Sequence, residues 1–253
     1  MGLFDAFKKK QCDICGGEIG LLGNRKLEDG NLCKDCARKL SPWFDDRRHS
    51  TVAQIEEQLA YREANKEKVA AFTVTRALGE GTQILLDEDA GLFMVAQTSR
   101  LQEENPDVLS FSDVTGCRLD IDEDRTELMR TDKDGNEVSY VPPRYTYEYD
   151  FNMVIQVRNP YFDDMTFRLN SSSVEIGGAG LARVRPEDNA EYRQYQQMGE
   201  EIKEILLGAR RQARESAAAA AAPRMAVACP YCGATTMPDA NGQCEYCGGA
   251  VNS

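Results

Sequence analysis

Two pairs of cysteines, Cys12/Cys15 and Cys33/Cys36, each with a two-residue gap, stand within the stretch QCDICGGEIGLLGNRKLEDGNLCKDCARKLSP. That spacing lets four thiolates close one tetrahedron around a metal ion, and paired CxxC is among the more specific patterns a sequence can carry. A second set, Cys229/Cys232 and Cys244/Cys247, lies in CPYCGATTMPDANGQCEYCG near the other end. All eight are expected to be metal ligands, and the expected cofactors are two Zn2+ ions, one per site, although four thiolates also suit iron. With four sulfurs in place, neither site keeps a position for water or substrate, the mark of a structural metal rather than a catalytic one.

The remaining chain decides what these modules flank. Nine cysteines, eight of them in CxxC pairs, suit metal thiolates in a reducing compartment better than a disulfide framework. The first residues lack a long apolar core and a cleavage site, and no apolar run is long enough to span a bilayer. The expected location is therefore the cytoplasm. The net charge of -12 is concentrated in the middle, where residues 72–180 carry 9 basic against 21 acidic side chains. A phosphate backbone should be repelled there.

In chain order, Leu3, Phe4 and Phe7 precede three lysines at helical spacing, which allows weak association with a membrane surface. Gly16 follows the first CxxC as in a zinc knuckle. Arg25 to Leu32 reads as a hairpin with Asp29-Gly30 at its turn, Cys33 ends the second strand, and Cys36 falls in the first turn of a short helix that Ser41-Pro42 stops. Knuckle, hairpin and helix start form a treble-clef layout over residues 11–42. Trp43 and Phe44 suit packing between modules. His49, the single histidine, has two complete cysteine sets already present and reads as a surface residue. Thr51 and Gln54 form a capping box for a connecting helix over 51–70, with Val52, Ile55 and Leu59 as its apolar stripe.

The string CDICGGEIGLLGNRKLEDGNLCKDCARKLSP resembles the N-terminal zinc-binding module of a bacterial family of unknown function, where it precedes a larger region. The resemblance covers about the first 50 residues. It implies a zinc module and a bacterial origin, and only Cys12, Cys15, Cys33 and Cys36 carry over, as ligands.

From Phe72 the period becomes alternating, with turns at Asp87 to Gly91, Asp132 to Asn136 and Asn159-Pro160. The clearest strand places Tyr145, Tyr147, Tyr149, Phe151, Met153, Ile155 and Val157 on one face. Met165, Phe167 and Leu169 repeat the pattern, and Thr115, Cys117, Leu119 and Ile121 do so earlier, which makes Cys117 a buried small hydrophobe. Pro186 and Asp188 open a helix with Tyr192, Tyr195, Ile202, Ile205, Leu206 and Ala209 along one stripe. About seven antiparallel strands and one closing helix over 72–209 predict a barrel or curved sheet. With the segment LSFSDVTGCRLDID, this order of elements resembles bacterial pleckstrin-homology-like domains; an extra hairpin around Arg125 to Arg144 departs from their short form. An alanine-rich tether over 210–224 then leads to a short zinc ribbon at 225–253. The expected class is α+β and multidomain.

The ribbon contains no Lys or Arg after Arg224, and Gln11 to His49 carries seven basic and seven acidic residues. Both facts disfavour nucleic acid. Enzyme constellations are absent too. Asp120, Asp122 and Asp124 lack the glycine and the bidentate Glu of a calcium loop, and Gly177-Gly178-Ala179-Gly180 lacks the Lys-Ser/Thr of a phosphate loop. The expectation is a non-enzymatic zinc protein that acts through a protein partner as an adaptor or regulator, with membrane-surface or nucleic-acid binding as the alternatives. It remains open whether the zinc modules dock partners or only pin the two ends of the body.

Overall fold

The computed structural model describes residues 10–177, 185–221, 226–239 and 242–251. Leu3, Phe4 and Phe7, and Gly178 to Gly180 of the glycine-rich connector, lie outside them. The chain divides into two compact units, residues 1–210 and 211–253, described separately.

In the first unit, β1 (Lys10–Gln11) and β2 (Glu18–Ile19) pair across the first CxxC, and β3 (Arg25–Lys26) pairs with β4 (Asn31–Leu32). Cys33 then caps the four-residue helix α1 (Lys34–Ala37). Ile19, Leu27, Leu32, Leu40 and Ile55 form a small core with Cys12 and Cys36. A 3-10 turn at Asp46–His49 leads into α2 (Val52–Ala71). The capping box is present: the Gln54 amide donates to Thr51 Oγ1 at 3.3 Å and the Thr51 amide to Gln54 Oε1 at 2.8 Å. Asp29, in the β3–β4 turn, accepts from the Val52 amide at 2.8 Å, so the hairpin closes the start of the helix.

The inner face of α2 is more polar than its sequence stripe predicts, because Gln58, Arg62 and Asn65 are buried along with Ile55 and Val69. Arg62 Nη1 meets Asp107 Oδ1 at 2.8 Å, its Nε donates to the Lys39 carbonyl at 3.2 Å, and Ser41 Oγ donates to Asp107 Oδ2 at 2.7 Å. Asn65 donates to Asn105 Oδ1 and the Pro106 carbonyl and accepts from the Val108 amide. Helix, cysteine module and body are thus joined by a buried network in which Arg62, Asn65, Ser41, Asn105 and Asp107 supply each other's partners, whereas both polar atoms of the Gln58 side chain have none. Trp43 packs against the core of the body and Phe44 against that of the cysteine module, so two neighbours in sequence serve two cores.

The body begins with β5 (Arg76–Gly79), β6 (Gln83–Asp87) and β7 (Leu92–Ala96), then α3 (Leu101–Glu104) and β8 (Leu109–Ser110). These strands form an antiparallel sheet in the order β5-β6-β7-β8. The second sheet is built on two long strands, β9 (Val114–Thr131) and β10 (Glu137–Val157). Along its other edge β10 pairs first with β12 (Val174–Gly177), at Thr146 to Tyr149, and then with β11 (Asp164–Arg168), at Asn152 to Gln156. Ile84, Leu86, Phe93 and Val95 of one sheet share a core with Phe151, Met153, Ile155 and Met165 of the other. The hydrogen-bonded strand orders give two open sheets on one core, with eight strands among the described residues.

The helix α4 (Ala190–Ala221) sends Tyr192, Tyr195, Ile202 and Leu206 into that core, where Tyr192 meets Tyr149 and Phe151 edge-on. Ile205 is partly buried there, and the side chain of Ala209 lies outside the described ones. Gly199 permits the approach of α4 to β9, since a Cβ there would stand 2.7 Å from both Leu119 Cδ atoms. Pro186–Asp188 is a 3-10 turn rather than the start of the helix; Asn189 Oδ1 accepts from the Tyr192 amide at 3.0 Å and provides the cap.

Two local differences concern β9 and β10. A register shift at Gln156/Val157 sets Val114 opposite Val157, which buries Val114 and leaves Thr115 exposed. The extra hairpin is the continuation of these two strands past the core, and between Ser139 and Arg144 the pairing skips the segment holding Pro142 and Pro143. Prolines have no N–H to give to a ladder. Their tip is closed by Asp132, whose Oδ1 accepts from the Asp134 and Asn136 amides, each at 2.9 Å.

In the second unit β13 (Val227–Ala228) pairs with β14 (Thr235–Thr236), and a bridge joins Gln243 to Ala250. Its small core consists of Cys229, Cys244 and Val251, with Val227 against them.

Candidate metal centres

The turn after each CxxC is set by the chain itself. Gly16, Gly233 and Gly248 all have positive φ, near +70°, and donate their amides to the carbonyls of Cys12, Cys229 and Cys244 at 2.8–2.9 Å. Only glycine takes that backbone conformation without a steric cost. The first cysteine of each knuckle closes the loop by donating to the second residue past its partner: Cys12 to Gly17, Cys229 to Ala234 and Cys244 to Gly249, each at 2.9 Å. Three copies of one local geometry therefore occur, one in the N-terminal module and two in the C-terminal unit.

The other N-terminal pair comes from a different device. Cys33 is the N-cap of α1 and Cys36 lies in its first turn, with the Cys36 amide donating to Cys33 Sγ at 3.4 Å. The Cys33 amide donates to Cys12 Sγ at 3.3 Å and so links the two halves of the cluster. Asp13, inside the first CxxC, accepts from the Asn31 amide at 2.6 Å and ties the knuckle to the hairpin. Sequence reasoning passed over Asp13, because the signal is one carboxylate between two ligands and its partner is 18 residues away.

Cys12, Cys15, Cys33 and Cys36 come together, as do Cys229, Cys232, Cys244 and Cys247, the sulfurs of each group all lying within 4.8 Å of one another. Cys15 and Cys33 approach to 3.8 Å, Cys229 and Cys247 to 3.6 Å, and Cys232 and Cys244 to 3.8 Å. A tetrahedral ion with metal–sulfur bonds of about 2.3 Å requires sulfur edges of about 3.8 Å. The donor set fits a thiophilic ion, and each cluster can hold one, which is consistent with two zinc sites.

The electrostatics agree. Burial pushes the Cys12 thiol up, but the amides of Cys15, Cys33 and Ile14 outweigh it and bring it down to about 6. Cys36 is raised, first by burial and then by the sulfurs around it. In the second cluster the Cys232 amide lowers Cys229, and Cys244 reaches about 6 because the amides of Tyr246 and Cys247 overcome its desolvation. The Gly249 amide lowers Cys247, yet the neighbouring sulfurs of Cys229 and Cys232 push it up to about 12. Four sulfurs in one small space cannot all ionise without a cation, and a divalent ion supplies the charge that lets them do so.

Other candidates are dispersed. His49 Nδ1 lies 2.7 Å from Asp46 Oδ1 on the exposed 3-10 turn. Cys117 sits on β9 opposite Ile155 against the main core, and burial pushes its thiol up to about 12. Asp120 pairs with Arg118, and Asp122 accepts from Asn152. Among the described residues, the groups arranged to hold a metal are the two cysteine clusters, and no helix is long and apolar enough to cross a membrane.

Comparison with known proteins extends this for one segment. No curated protein and no solved structure matches the chain. Residues 10–58 match the model of a family described as "Domain of unknown function (DUF4428)", a span that takes in the first cysteine cluster, the hairpin and the start of α2, and that fits an N-terminal zinc module.

Proposed function

We propose that the chain is a non-enzymatic zinc protein that recognises another protein, with the C-terminal ribbon as the docking unit. The observation that carries this is the placement of two aromatic side chains. Tyr231 and Tyr246 hold the same position in the two knuckles of the ribbon, immediately before the second cysteine, and are 73% and 71% exposed. Large exposed aromatic rings on a rigid scaffold are what protein interfaces use as anchors. Zinc supports the reading by fixing the loops that present them: so short a module buries little, and metal binding supplies its folding free energy.

The body suits a platform role. Two sheets on one core with α4 packed into it support the resemblance to pleckstrin-homology-like domains, and the β9–β10 hairpin extends beyond that core. Protein rather than nucleic acid is the favoured partner, because the ribbon has no basic residue with which to hold phosphates.

The test is capture of crosslinked partners by the full-length zinc-loaded chain from its native cell, with nuclease and detergent arms. A protein that resists both treatments and is lost with Tyr231→Ala/Tyr246→Ala, at unchanged zinc content, is the expected result. Partners that the double substitution leaves in place would remove the ribbon from the account.

A further inference from the structure

The N-terminal module is neutral when its charges are summed, but its fold segregates them. Arg25 and Lys26 form β3, and Arg47 and Arg48 lie in the 3-10 turn at Asp46–His49. Together with Asn24, Leu27 and Glu28 they line a single surface pocket. None of the four cations makes an ion pair among the described residues. Glu28, exposed, is the only carboxylate in the lining.

The pocket is held in shape by the backbone. Arg47 Nη1 donates to the Lys26 carbonyl at 2.8 Å, which fastens the 3-10 turn to β3, and the Glu28 amide donates to the Ser50 carbonyl at 3.0 Å. Arg25 is half-buried and its Nη1 reaches the Asn24 carbonyl at 3.5 Å. Both guanidinium groups are thus partly oriented while most of their donors stay unused. Burial, and then the charges of Arg25 and Arg48, lower the Arg47 pKa, so like charges crowd this pocket. Asn24 is held beside them, its Nδ2 donating to Asn31 Oδ1 at 2.9 Å.

We infer that this pocket binds the phosphoryl group of a phosphate monoester, with Arg25 and Arg47 as the forked donors and Lys26 and Arg48 as supporting charges. Guanidinium groups match phosphate oxygens two at a time, and a dianion relieves the repulsion among the cations. The site stands apart from the ribbon reading and neither depends on the other. A soluble phosphate monoester and the head group of a phosphatidate-type lipid offer the same chemistry.

The experiment is a titration of the zinc-loaded full chain with inorganic phosphate, and separately with chloride, at constant ionic strength, followed by amide chemical shifts. Saturable shifts at Asn24 to Glu28 and Arg47 to Ser50 are expected with phosphate and not with chloride. Arg25→Gln/Arg47→Gln should weaken phosphate by about tenfold or more, whereas Lys133→Gln, on the distant hairpin tip, should leave it unchanged. Zinc content and the dispersion of the remaining amides show that each variant is folded. Sedimentation with phosphatidate vesicles, against phosphatidylcholine alone, identifies the source: vesicle binding lost in the double variant assigns a lipid head group, and phosphate binding without vesicle binding assigns a soluble ligand. No saturable response to phosphate, or phosphate binding that survives the double substitution, overturns the inference.

Discussion

Sulfur chemistry separates the nine cysteines by their surroundings. Eight lie in clusters with amides and other sulfurs around them, whereas Cys117 faces apolar neighbours and is pushed up to about 12. Thiolates are the reactive species, so at pH 8 the metal-loaded chain should resist iodoacetamide at all nine positions. Chelation should then expose eight sites while Cys117 stays unmodified, as read by intact mass and peptide mapping. The knuckle glycines make a second prediction. Gly16→Ala places a Cβ on a residue with φ of +70°, which should cost roughly 1–2 kcal/mol and weaken metal retention against a competing chelator. The wild-type chain should hold its metal at chelator concentrations that strip the variant. These residues were legible because spacing and glycine placement are local signals. Val114 was not: a one-residue bulge exchanges it with Thr115, and nothing in the local alternation marks where a partner strand slips.

At the level of elements, α2 shows where reading stops. Its capping box was visible in Thr51 and Gln54, because both partners lie within one helical turn. Its inner face was not, because Arg62 and Asn65 look like solvated residues until Asp107 and Asn105 are brought to them from about 40 positions away. Removing one partner of such a buried pair leaves an uncompensated charge, so Asp107→Ala should lose about 3–5 kcal/mol in denaturant unfolding. Arg62→Met/Asp107→Leu should recover much of that loss. An intact midpoint in Asp107→Ala would show that the pair does not join the module to the body.

The long hairpin makes the corresponding pH prediction. Asp132 is held below the ordinary value of 3.8 by the Asn136 amide above all, and Asp150 by Ser173, Asn170 and Arg168, which together outweigh its burial. A carboxylate with a folded pKa below its unfolded value stabilises the fold above the unfolded value and loses that contribution as pH falls through the folded one. Thermal midpoints should therefore hold above about pH 5 and drop below about pH 4. Asp150→Asn should show a shallower drop, and a midpoint that rises on acidification would contradict the assignment.

For the whole molecule, the paired CxxC spacing and the alternating middle of the chain point to cysteine modules and a β-rich body, and the structure has one four-cysteine cluster towards each end of the chain and open sheets between them in sequence. Periodicity located the strands around Tyr145 to Val157 and the apolar face of α4, both long and strongly patterned. It left open whether the strands close into a barrel, since strand order depends on pairings that no single segment encodes; the answer is two open sheets on one core. Net charge was the least informative quantity: a balanced sum over Gln11 to His49 concealed a segregated basic pocket, visible only once β3 and the 3-10 turn lie side by side.

Zinc in both clusters is tested by elemental analysis with native mass spectrometry of the full chain purified without added metal. Two zinc ions per chain are expected, falling to one in Cys12→Ser/Cys36→Ser and to one in Cys229→Ser/Cys244→Ser. Iron in place of zinc, fewer than two ions in the unaltered chain, or a count that neither double substitution lowers would contradict it.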